Sequence, residues 1–117
     1  MTFLAGIGVA VSLLTPVRSD HHPTGVERIK QAITWSFCGH SLRPCSDGNL
    51  AQRIAWCESR FDRWAQNGQY LGLFQMGSHE RWTYGHGPTA WDQAQAANRY
   101  QNVSGWSPWY ASIGCWG

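Results

Sequence analysis

Cys38, Cys45, Cys57 and Cys115 restrict what this chain can fold into more than any other feature of its sequence. A chain of 117 residues makes one domain at most and buries a modest core, and in small exported domains cross-links make up the deficit. An even cysteine count in such a chain reads as two disulfides, and four cysteines allow three connectivities. The favoured pairing is Cys38–Cys45, closing a small loop, with Cys57–Cys115, tying the end of the chain beside Glu58; the other two pairings stay open. Closing the longer loop restricts the unfolded chain more, by roughly 4 kcal/mol on the chain-entropy account. A four-cysteine zinc site is the rival reading, and the lack of any Cys-x-x-Cys pair weighs against it.

The reading of export comes from the N-terminus. Thr2 to Val17 are almost wholly apolar or small, and Pro16-Val17-Arg18-Ser19 leads to a cut near Asp20. Residues 1–19 therefore read as a secretory signal peptide. No Lys or Arg precedes the apolar run, which keeps an uncleaved anchor and a misplaced start codon as alternatives. The run is marginally short for a membrane span, and once it is removed no stable membrane association is expected. Charged residues are 14% of the chain, the formal charge is +2, and no Lys/Arg-rich run occurs. That argues against nucleic acid as a partner. A mildly basic balance suits an anionic polymer such as a bacterial wall.

Two units follow, 20–48 (a helix and a turn) and 49–117, together forming one domain. Thr24-x-x-Glu27 is a capping-box pattern, after which Val26, Ile29, Ile33 and Phe37 fall on one helical stripe up to Gly39. Pro44 to Gly48 reads as a turn. A second helix is expected from about Leu50 to Phe61, capped by Asn49 or Asp47. Asn67-Gly68, between Trp64-Ala65 and Tyr70-Leu71, predicts a short hairpin. Ser78 is expected to cap a short helix to about Tyr84, and Thr89-x-x-Asp92 a last helix to about Val103. From Trp106 an irregular tail is expected, fastened by Cys115. The fold class is α+β, mostly helical, with one short extended lobe.

Glu58 carries the chemistry. It closes an apolar helical pattern in Ala55-Trp56-Cys57-Glu58-Ser59-Arg60-Phe61, and Gly72-Leu73-Phe74-Gln75-Met76 follows fourteen residues later. A carboxyl group among large aromatics resists ionisation and can donate a proton to a leaving group, as cleavage of a glycosidic bond requires. The 8 Trp residues are well above ordinary usage. Trp64, Tyr70, Phe74, Trp82, Tyr84, Trp106 and Trp109 could line a saccharide cleft or pack the core; for any one ring packing is the better reading, but a chain this small can hardly bury them all.

These two runs resemble the Glu-Ser and Gly-Leu-Met-Gln motifs of soluble lytic transglycosylases, which share a fold with goose-type lysozymes. The Cys before the Glu, the short chain and Trp106-Ser107-Pro108-Trp109 are closer to small actinobacterial transglycosylase-like domains and resuscitation-promoting factors. The resemblance covers about residues 50–116. It implies a lysozyme-like fold and Glu58 as the single acid/base, protonating the oxygen between N-acetylmuramic acid and N-acetylglucosamine of a peptidoglycan strand. The same group would then accept the proton of the muramic 6-hydroxyl as a 1,6-anhydro ring closes. Help from the N-acetyl group explains how one carboxylate serves where the common glycosidase scheme uses two. The resemblance makes Ser59 the residue that orients the acid or a sugar substituent, and Gln75 an amide for sugar groups. Gly72 becomes a point of close backbone approach to the polymer. The Ala-Tyr-Asn motif of larger transglycosylases is absent as such; Tyr100, after Asn98, is the nearest match for its aromatic residue. Trp64 and Tyr70, beside the hairpin turn, complete the expected contacts. A monomer needing no cofactor or metal, secreted and associated with the cell wall, follows from this reading.

Other motifs carry less. Asp62, four residues from Glu58, could orient a water for hydrolysis but reads better as a cap of the next turn. Asp47 and Asp92 read as caps, and Glu80 as a helix charge or a partner of Arg81 or Arg60. His79-Glu80 begins like a zinc-protease motif, but Thr83 stands where the second His belongs. A Cys-His protease fits poorly with cysteines expected to be oxidised. A non-catalytic wall-binding module and a small disulfide-stapled secreted protein remain the competing functions.

Overall fold

Helix α1 (Gly25–Phe37) turns Ala32, Ile33 and Phe37 inward, the face that the spacing of Ile29, Ile33 and Phe37 predicts; Val26, at the other end of that stripe, stays exposed. The computed structural model describes residues 25–117. The expected signal peptide, His21-His22-Pro23 and Thr24 of the capping box lie outside the described residues. The chain leaves α1 through Gly39 and His40, both left-handed, with the His40 ring stacked on Trp35.

Cys38 pairs with Cys45 and Cys57 with Cys115. The first of these disulfides sets where α2 begins. That helix spans Ser46–Ser59, so the expected turn at Pro44–Gly48 and the expected start at Leu50 are both corrected. Neither Asn49 nor Asp47 is the cap: the sulfur of Cys45 accepts the Gly48 N–H at 3.3 Å, a role that a thiol-bearing residue does not advertise by propensity. Gly48 is glycine for space. A Cβ there would lie 2.5 Å from the Cys38 sulfur, so the first turn of α2 can close on the disulfide only without a side chain. At its other end α2 stops at Ser59 rather than Phe61, because Arg60 and Phe61 both take left-handed backbone, φ 55° and 61°, and the Arg60 N–H closes on the Trp56 carbonyl.

The extended lobe is smaller than its flanking aromatics suggest. Strands β1 (Gln66–Asn67) and β2 (Tyr70–Leu71) pair antiparallel, Gln66 opposite Leu71 and Asn67 opposite Tyr70, so the two-residue turn is Gly68-Gln69 and Asn67 belongs to the ladder. A single bridge carries the pairing on from Leu71 to Met76. The Arg81 guanidinium braces the lobe by donating to the carbonyls of Gln69 and Met76. Helix α3 (Ser78–Tyr84) starts from Gly77 as its cap, not Ser78, whose hydroxyl instead reaches the Gln69 side chain at 3.2 Å. Helix α4 (Ala90–Ser104) has the expected Thr89 cap, accepting the Asp92 N–H at 3.0 Å. The tail expected to be irregular is helical: a 3-10 helix over Ser107–Ser112 runs into α5 (Ile113–Trp116).

Among the described residues the architecture is α+β and mostly helical, with one two-stranded sheet and two disulfides. Helix α1 packs on α4 and α2, and α5 on α2. Alanines line the facing helices, Ala32 on α1, Ala51 and Ala55 on α2, and Ala94, Ala96 and Ala97 on α4, all fully buried. Small residues let the helices approach closely, and apart from Phe37 of α1 the large rings that fill the core come from elsewhere. Phe74 enters from the 72–76 loop and Trp109 and Trp116 from the tail. No helix among the described residues is long and apolar enough to cross a membrane.

Because the Cys57–Cys115 loop is the long one, replacing both cysteines by Ala should cost roughly 4 kcal/mol, against roughly 2 kcal/mol for the pair Cys38 and Cys45. Denaturant unfolding of the two double variants checks the order; equal losses would mean that native-state packing, not loop closure, sets the contribution.

Candidate functional site

Glu58 sits one residue before the end of α2, half-buried rather than enclosed. Trp56, close to it in sequence, is not its neighbour in space. Trp56 lies two positions away, on the far side of a helix with 3.6 residues per turn. Its ring is half exposed, 5.6 Å from Phe61 and covered by the Arg60 guanidinium at 4.8 Å. The sealed apolar pocket expected from Trp56 and Phe61 is thus corrected to an open position whose polar partner comes from the tail.

That partner is Ser112, which the sequence reading missed. Its hydroxyl is 2.5 Å from Glu58 Oε2 and 3.1 Å from the Trp109 carbonyl. One hydroxyl carries one proton, and the shorter of the two contacts takes it. The Trp116 indole N–H in turn donates to Ser112 Oγ at 3.0 Å and to the Trp109 carbonyl at 3.1 Å. The result is a relay from indole to hydroxyl to carboxylate. Its geometry follows from a covalent tie: Cys115, three residues after Ser112, is bonded to Cys57, the residue before Glu58. The signal was present in the sequence as that cysteine pair, but only a helical tail turns Ser112 toward α2.

A second cluster adjoins the first. Tyr100, half-buried on α4, stacks on Tyr84 at 5.2 Å and meets the edge of Trp109 at 5.5 Å. Burial, followed by the charge of Glu80 and the nearby Tyr84 and Tyr70, pushes the Tyr100 phenol above its ordinary value, so it remains an O–H donor throughout the neutral range. Glu80, read as a helix charge or an Arg partner, therefore faces the tyrosines, while Arg81 and Arg60 spend their guanidiniums on backbone carbonyls. Tyr70 is exposed on β2, and a Cβ placed on Gly77 would lie 3.5 Å from its ring and 2.7 Å from Glu80 Oε1. Tyr70, Glu80, Tyr84 and Tyr100 thus form one side-chain group, joined to the Glu58 relay through Trp109.

Three expected substrate contacts are structural instead. Ser59 is buried, and its hydroxyl donates to the Ala55 carbonyl one turn back at 2.9 Å; it does not orient Glu58. Gln75, held at φ 47°, spends both amide hydrogens on the carbonyls of Ala65 and Gly72, at 2.9 and 3.1 Å. Gly72 has φ +89°, and a Cβ there would meet Gln93 Oε1 at 2.6 Å and His86 Nε2 at 3.0 Å. The space beside its backbone is taken by Gln93 and His86. Gln93, buried on α4, accepts the Leu73 N–H at 2.9 Å and donates to the Arg63 carbonyl at 3.1 Å. It is the bracket that holds the 72–76 loop in place.

Trp64 is exposed, with the Arg63 guanidinium 4.9 Å above its ring, and no hydrogen bond or ring contact joins it to Glu58. Asp62 accepts the Trp64 N–H at 2.9 Å and so closes the turn after α2. Of the seven aromatics weighed as cleft or core, Phe74 and Trp109 are buried and Tyr84 and Trp106 half-buried, whereas Trp64, Tyr70 and Trp82 stay exposed. Among the described residues no three His, Cys, Asp or Glu side chains gather as a metal site.

Burial, then the charge of Arg81, holds the His86 ring below its ordinary value of 6.5, Asp92 pulling the other way. The unfolded chain therefore takes up this proton more readily. Stability is complete above about pH 6.5 and is lost as the pH falls from there through the folded-state value. His86→Gln should flatten the fall in melting temperature between pH 7 and pH 5; an unchanged slope would place the acid sensitivity elsewhere. Gln93→Leu leaves the Leu73 N–H without its partner and should cost about 1–3 kcal/mol, read by urea unfolding. No family model, no curated protein and no solved structure matches this chain.

Proposed function

We propose that this protein is an exported glycosidase of lysozyme-like fold that cleaves peptidoglycan strands at the bond between N-acetylmuramic acid and N-acetylglucosamine. Glu58 is its single acid/base. The observation that carries the reading is the setting of that carboxylate: at a helix end, open to solvent on one side, and held by a neutral hydroxyl rather than by a cation. A carboxylate paired with Arg or Lys is kept ionised and is a poor acid, whereas one that hydrogen-bonds a hydroxyl can bind a proton and reverse the bond, becoming the donor to Ser112 Oγ.

In the proposed reaction Glu58 gives its proton to the glycosidic oxygen as the bond to the anomeric carbon of muramic acid breaks, with the N-acetyl group stabilising the positive charge. The muramic 6-hydroxyl then closes on the anomeric carbon and gives its proton to Glu58, so the acid is regenerated and no water is consumed. The intramolecular hydroxyl competes well with solvent because it is already held in place. Ser112, in the part that the motif resemblance gives to Ser59, fixes the rotamer of Glu58. Tyr70, Trp64 and Tyr100 are the proposed sugar contacts, Tyr100 as an O–H donor and the exposed rings as stacking faces.

A second reading, a binding module without catalysis, draws support from the placement of Ser59, Gln75 and Gly72 in the scaffold. Release of soluble muropeptides from purified peptidoglycan separates the two. Glu58→Gln should lower the rate by about 10²–10⁴-fold, and Ser112→Ala by about tenfold, with far-ultraviolet dichroism unchanged. Products should be lighter than their hydrolysed counterparts by about one water, as ring closure by the 6-hydroxyl demands. No release by the unaltered protein would leave the binding module as the reading to keep, and hydrolysed ends would make it a lysozyme.

A further inference from the structure

We propose that the protein has a second polymer-binding site, on the α1–α2 face turned away from Glu58, which holds an anionic stretch of the same polymer: a glycan carrying carboxylate-ended peptides. The choice of ligand rests on the substrate class proposed above, but not on cleavage. A cavity of about 780 Å³ lies here, within the usual range for ligand sites. Glu58 takes no part in it.

The cavity is built by one face of α2. Asn49, Arg53 and Trp56 are spaced by four and three residues and so share that face, while Lys30 of α1 and Phe61 close the sides. The Cys57–Cys115 disulfide also lines it and ties α2 covalently to the tail. Gln52 braces the two helices, its amide nitrogen donating to Thr34 Oγ1 at 2.9 Å. The groups left for a ligand are two cations and the exposed part of the Trp56 ring. Trp56 is 48% exposed, and Lys30 Nζ stands 5.8 Å from the Phe61 centroid. Arg53 makes one long contact, Nε to the Trp116 carbonyl at 3.5 Å, and keeps further guanidinium donors in hand.

No carboxylate lines this cavity. In a chain of formal charge +2, Lys30 and Arg53, with Arg60 over the Trp56 ring, concentrate positive charge beside a half-exposed indole. A ring takes the apolar face of a sugar and the cations take carboxylates. A ligand offering both together is a peptide-substituted glycan; a neutral chitin-like strand offers only the first. Two sites back to back on α2 would raise the local concentration of strand at Glu58 between cleavages.

The test uses the full chain with Glu58→Gln, so that no turnover removes the ligand, and measures co-sedimentation with insoluble peptidoglycan freed of other wall polymers. Adding Trp56→Ala should weaken retention about tenfold. Adding Lys30→Gln and Arg53→Gln should weaken it several-fold and flatten its salt dependence. Amidating the polymer's carboxylates should reproduce the charge variants. Lys30 is exposed on α1, so the Lys30→Gln variant alone keeps the test open if the Trp56 variant misfolds. Equal retention by every variant overturns the proposal. So does stronger binding to a phosphodiester polymer, or a dimer in sedimentation velocity that Trp56→Ala dissolves. Retention is read without catalysis, so failure here leaves muropeptide release as a separate result, and the reverse.

Discussion

The indole of Trp109 is where the separate parts of this small protein meet. Its ring packs edge-on against Phe74 from the 72–76 loop and against Tyr100 from α4, and lies beside Trp106. Its N–H donates to the Phe74 carbonyl at 2.9 Å, and its carbonyl accepts from Trp116. A buried ring that satisfies its one polar hydrogen on a loop backbone fixes that loop as well as filling space. The helices alone present mostly alanine to one another, so without this ring the loop, the tail and α4 would have little apolar mass in common.

From that anchor the candidate site assembles in two steps. The tail, seated by Trp109 and Trp116, brings Ser112 to the end of α2, and the Cys57–Cys115 bond sets the same distance covalently one residue away. Two independent constraints on neighbouring positions leave the Glu58 carboxylate few orientations. Tyr100 links the relay to the tyrosine group around Glu80. The carboxylate and the exposed rings proposed for sugar contact thus stand on different elements, held by one shared core.

Periodicity and capping made much of this legible in advance. The stripe of α1, the Thr89 cap of α4 and the Asn67-Gly68 hairpin signal rest on local chemistry, which a linear reading can see. The favoured cysteine pairing is also the one the structure has, although Cys57 and Cys115 stand 58 residues apart. What escaped was non-local. The start of α2 depends on a half-cystine acting as a cap, and the helical tail depends on Trp109 and Trp116 finding a core. Ser59 and Gln75 looked available because hydroxyls and amides often face a ligand; here each has a backbone partner that only the fold supplies. Trp56 shows the commonest error of the kind, since adjacency in sequence becomes opposition on a helix.

Helix α2 is bonded covalently at both extremities, through Cys45 at its cap and through Cys57 in its last turn. A chain held in a thiol-rich compartment would lack both staples together, and with them the bond that sets Ser112 beside Glu58. The surroundings of the carboxylate are therefore coupled to the oxidation of four cysteines, two of them far apart in the chain.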